Sequence, residues 1–123
     1  MMNAVIHSRS SVKRWGGEIE DYLPLHKWMD GSKEMMGDIR HRALRHHAQG
    51  IFEGERVFGP TITISTGKVV PTRDILERHV TEDMGGWIPT LSDWLREMPM
   101  QVWMSGQKRV KVKTIKLTEE NDD

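Results

Sequence analysis

All six histidines of this chain, His7, His26, His41, His46, His47 and His79, precede residue 80. Two of them repeat one arrangement. In His26-Lys27-Trp28-Met29-Asp30 and in His79-Val80-Thr81-Glu82-Asp83, an aspartate follows a histidine by four residues. On a helix that spacing puts both side chains on one face. An imidazole and a carboxylate so placed can share a divalent metal, or the carboxylate can orient the imidazole through its N–H. Residues 33–58 supply a third contribution when read as one helix with Ile39 at zero. At 100° per residue His47 falls at about 80°, Arg40 at about 100° and Glu55 at about 160°. That is inside the apolar stripe made by Met36, Ala43, Leu44, Ala48, Ile51 and Phe58. His46 falls at about 340°, on the opposite side, and reads as exposed, while His41 lies at the margin of the stripe. His7 has no acid near it in sequence and reads as solvated.

Two chemistries follow. In one, the inward-facing Arg, His and Glu satisfy each other as a polar core network, because buried polar groups must be paired. In the other, three helices bring a metal or acid–base site together. His26, His47 and His79 then ligate, Asp30 and Asp83 ligate or orient, and Glu55 or Glu82 is the general base on a metal-bound water. Arg40 would steady an anionic substrate. With only nitrogen and oxygen donors, Zn²⁺, Mn²⁺, Fe²⁺ or Ni²⁺ fits better than Ca²⁺. The chain has no HExxH motif and no Cys, which excludes thiolate metal sites, Cys nucleophiles and disulfides. The run from Arg40 to His47 is basic enough to meet the phosphate of a nucleic acid or nucleotide. Yet 18 basic residues balance 18 acidic ones, and no aromatics interleave the run, so a solvated helical face is the stronger reading.

The elements that must position these groups are short. A helix over residues 4–15 is closed by Gly16-Gly17, and Asp21 caps a second over residues 21–30. Ser32 caps the long helix 33–58. Gly50 and Gly54 lie at the edge of its stripe, where a close neighbour would explain them. Ile62 and Ile64 alternate with Thr before Gly67 and Val69-Val70, which is a β-hairpin signal. Thr72 caps a helix to Met84, and Thr90 with Asp93 forms a capping box for a last short helix. These features predict a mainly α fold with a small β-hairpin (α+β), its helices packed around the long central one. Residues 1–104 form one globular domain, and 105–123 form a charged tail or edge strand. Nine Met and five Trp compensate for the scarcity of Leu, so the expected core is one of Met and Trp, including Trp87, Trp94 and Trp103. Apolar runs are too short for a bilayer, and the first residues lack the apolar segment of a signal peptide.

The stretches DYLPLHKWMDGSK, RHRALRHHAQGIFEGERVFG and RHVTEDMGGWIPTLSDWL, with Trp-Gly-Gly-Glu from residue 15, resemble a family of small uncharacterised proteins of bacteriophage and prophage genomes. The likeness spans roughly residues 7–104. It implies the cytoplasm of an infected bacterium and no particular chemistry. Two functions are therefore expected. The first is a metal-binding phage accessory protein, hydrolytic on a phosphate-containing substrate. The second is a non-enzymatic inhibitor of a host or defence protein, in which the polar network is structural and residues 87–104 or the tail make the contact. A homo-oligomer is compatible with either.

Overall fold

The computed structural model describes residues 2–108. Helix α1 (Ala4–Trp15) is capped by the Asn3 side chain, which accepts from the Ile6 N–H at 3.0 Å. It stops where Gly16 and Gly17 take φ of +89° and +81°, a region open to glycine at little cost. Helix α2 (Ile19–Asp30) carries Pro24 within it. Its cap residue is Glu18 rather than Asp21. Asp21 sits three residues in, where its carboxylate accepts the Glu18 N–H at 2.7 Å and also the Ser65 N–H and hydroxyl. One side chain thus ends a helix start and holds the hairpin turn.

The expected helix over 33–58 does not form, so no long central helix organises the fold. Its place is taken by a 3₁₀ turn (Gly31–Glu34), a bend, a second 3₁₀ turn (Ile39–His41), α3 (Arg42–Arg45) and α4 (Ala48–Phe58). The breaks fall where side chains compete with the helical ladder for backbone N–H groups. Asp38 accepts from the Arg40 N–H at 2.8 Å. His47, in extended backbone, accepts from the Gly50 N–H at 3.0 Å through Nδ1 and so caps α4.

Strands β1 (Thr61–Thr63) and β2 (Val69–Pro71) pair antiparallel, with Ile62 opposite Val70. The chain passes directly into α5 (Thr72–Asp83), where Thr72 is the first helical residue and Pro71 holds the cap position. The Thr90–Asp93 box opens α6 (Leu91–Leu95) as its residues predict. A 3₁₀ turn (Val102–Ser105) ends the described chain. Of the charged tail or edge strand expected at 105–123, residues 109–123 lie outside the described residues. No helix among them is long and apolar enough to cross a membrane.

The apolar core is Tyr22, Leu25, Met29, Ile51, Ile64, Val70, Ile75, Leu76 and Val80. It is mostly aliphatic rather than a core of Met and Trp: Met29 is the one buried Met among the described residues, Trp15, Trp28 and Met84 pack at its edge, and Trp87, Met98, Met100, Trp103 and Met104 are exposed. These last follow α5, beyond the elements that close over the core. Close approach does explain the two glycines. A Cβ on Gly54 would meet Leu76 and Trp28, and one on Gly50 would meet the Arg45 carbonyl. Gly50→Ala therefore has to displace backbone. Its cost is expected at the upper end of the roughly 1 to 3 kcal/mol of an overpacked site, despite alanine's better helix propensity, and urea denaturation measures it.

Candidate metal centre

The six histidines are all buried, none more than 4 % exposed, which makes a second, polar core beside the apolar one. His7 and Ser11 come from α1, His26 and Asp30 from α2, His46 from the link between α3 and α4, and His79, Glu82 and Asp83 from α5. Both i,i+4 pairs share a helix face as predicted, and the two faces meet: His26 Nδ1 lies 2.8 Å from His79 Nδ1.

His79 Nε2 lies 3.1 Å from Asp30 Oδ1 and 3.3 Å from Asp83 Oδ2. His46 Nε2 lies 2.9 Å from the same Asp83 oxygen and 3.5 Å from the same Asp30 oxygen. Two nitrogens and two oxygens thus form a closed ring of four near-equal edges. Bonds of about 2.1 Å to a tetrahedral ion would place ligand atoms about 3.4 Å apart, close to these separations. All four ligand atoms lie within 4.8 Å of one another, so these buried groups could hold a metal ion. The chemistry of the set, two imidazoles and two carboxylates, suits a first-row divalent ion.

Around the ring, His7 is flanked on both nitrogens, by Glu82 at 2.8 Å and Asp83 at 3.1 Å. Its ring stacks on His79 with centroids 3.7 Å apart. Burial alone would push its pKa down, but the hydrogen bonds of Asp83 and Glu82 and the charges of Asp83 and Asp30 outweigh this and raise it. When protonated, His7 donates one N–H to the carboxylate on each side. His26 is the opposite case. Burial, then repulsion from His79 and His7, lowers its pKa to about 2, so it is a neutral ring between Ser11 and His79. Asp30 and Asp83 resist burial, which would raise them. Hydrogen bonds from His46 and His79, and for Asp83 also His7, hold both well below the usual carboxylate range. Arg42 adds a guanidinium 3.9 Å from Asp83 and bonds the Asp83 carbonyl. Lys33 Nζ stands 3.8 Å from Asp30 Oδ2, a buried oxygen with no hydrogen-bond partner. His41 bonds Ser32 and meets the His46 ring edge-on.

The structure brings His26, Asp30, His79, Glu82 and Asp83 together, and leaves three expected site residues elsewhere. His47 spends Nδ1 on the α4 cap and Nε2 on the Ala43 carbonyl at 3.0 Å. Glu55 pairs with Arg73 at 3.1 Å on the outside of α4, and Arg40 pairs with Asp38 in solvent. Conversely, His46 and His7 are fully buried where solvent exposure was expected. The break at His46–His47 resets the helical phase and turns His46 inward. The signal for His7 is its i,i+4 relation to Ser11, which marks the tightly packed face of α1; its carboxylate partners are 75 and 76 residues away. The surface cavities lined by Arg14, Trp15 and Arg78, by Trp87, Trp94 and Arg96, and by Trp28, Arg45 and His47 do not include the four ring residues.

A family profile matches residues 2–104, a span that holds every histidine and every carboxylate of this cluster. The chain belongs to the DUF6915 family. That family is described as a domain of unknown function, so its membership sets the extent of the shared domain and leaves the chemistry to the geometry. No curated protein and no solved structure matches the chain.

Proposed function

We propose that this DUF6915 protein is a metalloprotein that holds one divalent ion, of the Zn, Mn, Fe or Ni class, on Asp30, His46, His79 and Asp83. One observation carries the reading. Four N···O edges of 2.9 to 3.5 Å surround the ring, but two imidazoles bring only two Nε2 protons to fill them. A cation at the centre satisfies all four edges at once. The ligands come from α2, the α3–α4 link and α5, so the ion ties together segments that the absence of a long helix leaves separate.

Four protein ligands in a buried site describe a fold-holding ion better than a catalytic one, which keeps a position open. The general-base candidates support the same choice. Glu82 is engaged by His7, Ser10 and Arg78, and Glu55 stands outside the cluster with Arg73. A separate observation favours a second role, contact with a host or other partner protein: Trp87, Met98, Met100, Trp103 and Met104 present exposed apolar surface.

Elemental analysis of protein purified without chelator is expected to find one ion per chain. In calorimetric titration with Zn²⁺, Asp83→Asn and His46→Ala should weaken binding at least 100-fold, while Glu55→Gln and Arg40→Gln leave it unchanged. At free Zn²⁺ one hundred times Kd, the ion should add about 2.7 kcal/mol, raising the thermal midpoint by roughly 10 °C. No bound ion and no Zn²⁺-dependent shift would sink the proposal.

A further inference from the structure

Behind His79, on the side away from the carboxylates, hydrogen bonds run in single file to α1. His79 Nδ1 is 2.8 Å from His26 Nδ1, and His26 Nε2 is 2.8 Å from Ser11 Oγ. All three residues are fully buried. A neutral imidazole has one proton and places it on one nitrogen only, so a single choice at His79 sets the direction of the whole file.

Without an ion, His79 Nε2 faces two carboxylate oxygens, and a neutral His79 ring keeps its one proton there. Nδ1 then accepts from the His26 Nδ1–H, and His26 Nε2 accepts from the Ser11 hydroxyl. With an ion on Nε2, the His79 proton belongs on Nδ1, which donates to His26. That obliges His26 to carry its own proton on Nε2 and to donate it to Ser11 Oγ. With one proton on each ring in both states, only its position changes.

We infer that loading the metal centre reverses this file, making His26 and Ser11 its positioning residues and carrying the occupancy of the centre to α1. The inference rests on the metal reading above. An outer partner that fixes a ligating histidine in the correct tautomer is worth 10- to 100-fold in metal affinity. A fully buried Ser–His pair is what such a partner requires here, since no water competes for the bonds.

The test is two-bond ¹H–¹⁵N NMR of the histidine rings of the whole chain at pH 8, where unperturbed imidazoles are neutral, with and without Zn²⁺. The His46 and His79 Nε2 signals are expected to shift on binding, and the His26 proton to move from Nδ1 to Nε2. If His46 and His79 respond while His26 keeps one tautomer throughout, the reversal is wrong and the metal centre stands. If none of the three responds, both fall together. Ser11→Ala supplies a second readout, with Zn²⁺ affinity expected to drop about 10- to 100-fold. A lower thermal midpoint for the metal-free variant with Zn²⁺ affinity unchanged would make Ser11 a purely structural residue and overturn the inference.

Discussion

Replacing Asp83 by alanine is expected to remove about 3 to 5 kcal/mol of stability, the cost of breaking a buried charge pair from one side. The carboxylate, 4 % exposed, meets His46 at 2.9 Å, His7 at 3.1 Å and His79 at 3.3 Å, with Arg42 at 3.9 Å. Its removal leaves His7 with Glu82 alone and takes from the Arg42 guanidinium its carboxylate partner. For a chain of this size the thermal midpoint should fall by roughly 12 to 20 °C, read by circular dichroism in chelator so that metal loss does not contribute. Asparagine at the same position keeps the volume and one acceptor oxygen and should cost less. A loss below about 1 kcal/mol for Asp83→Ala would mean that the cluster is not a paired network. Glu55→Ala is the contrast: its partner Arg73 is half exposed, and such surface pairs contribute at most about 1 kcal/mol.

Acidification of the metal-free protein is the second large effect. The unfolded chain protonates His26 near its ordinary value of about 6.5, whereas in the fold burial holds that pKa at about 2. Between those values the unfolded state binds the extra proton, so stability falls as pH falls, by about 1.4 kcal/mol per unit. At pH 4.5 the loss from His26 alone is about 2.7 kcal/mol. His41 and His47, both lowered chiefly by burial, act in the same direction. His7 has the opposite sign. Its raised pKa contributes stability that is complete below about 6.5 and is lost as pH rises through its folded value. Asp30 and Asp83, held low, contribute above their unfolded value and lose that contribution as pH falls through their folded ones. Stability should therefore be greatest near neutrality and decline on both sides. Urea midpoints between pH 4.5 and 8 measure this, and His26→Gln should flatten the acid limb by about one proton. A wild-type stability constant from pH 6.5 to 4.5 would show that His26 is charged in the fold.

The parts of this protein legible in its sequence are those governed within one or two turns of chain. The two His-x-x-x-Asp pairs lie on one face each because 3.6 residues per turn puts them there. Gly16-Gly17, Gly67 and the Thr90–Asp93 box end or start their elements by backbone conformation and local hydrogen bonds, and the small hairpin follows from alternation and a glycine turn. The region 33–58 shows the limit of such reasoning. Its apolar positions do fit one helical stripe, but Asp38 and His47 each give a backbone N–H a side-chain acceptor, and the chain leaves the helical ladder beside each of them.

The sequence by itself determined which residue types could make a metal or polar site, that nitrogen and oxygen would be its only donors, and that His26 with Asp30 and His79 with Asp83 would each share one helix face. Only the tertiary structure decided the rest of its membership. His46 enters because the chain breaks beside it, His7 because α1 packs over α2 and α5, and His47 leaves because capping α4 occupies its ring. The contacts of His46 and His7 with Asp83 join residues 37 and 76 positions apart. At that separation no helical period constrains which side chains meet; the burial of the elements' apolar faces does.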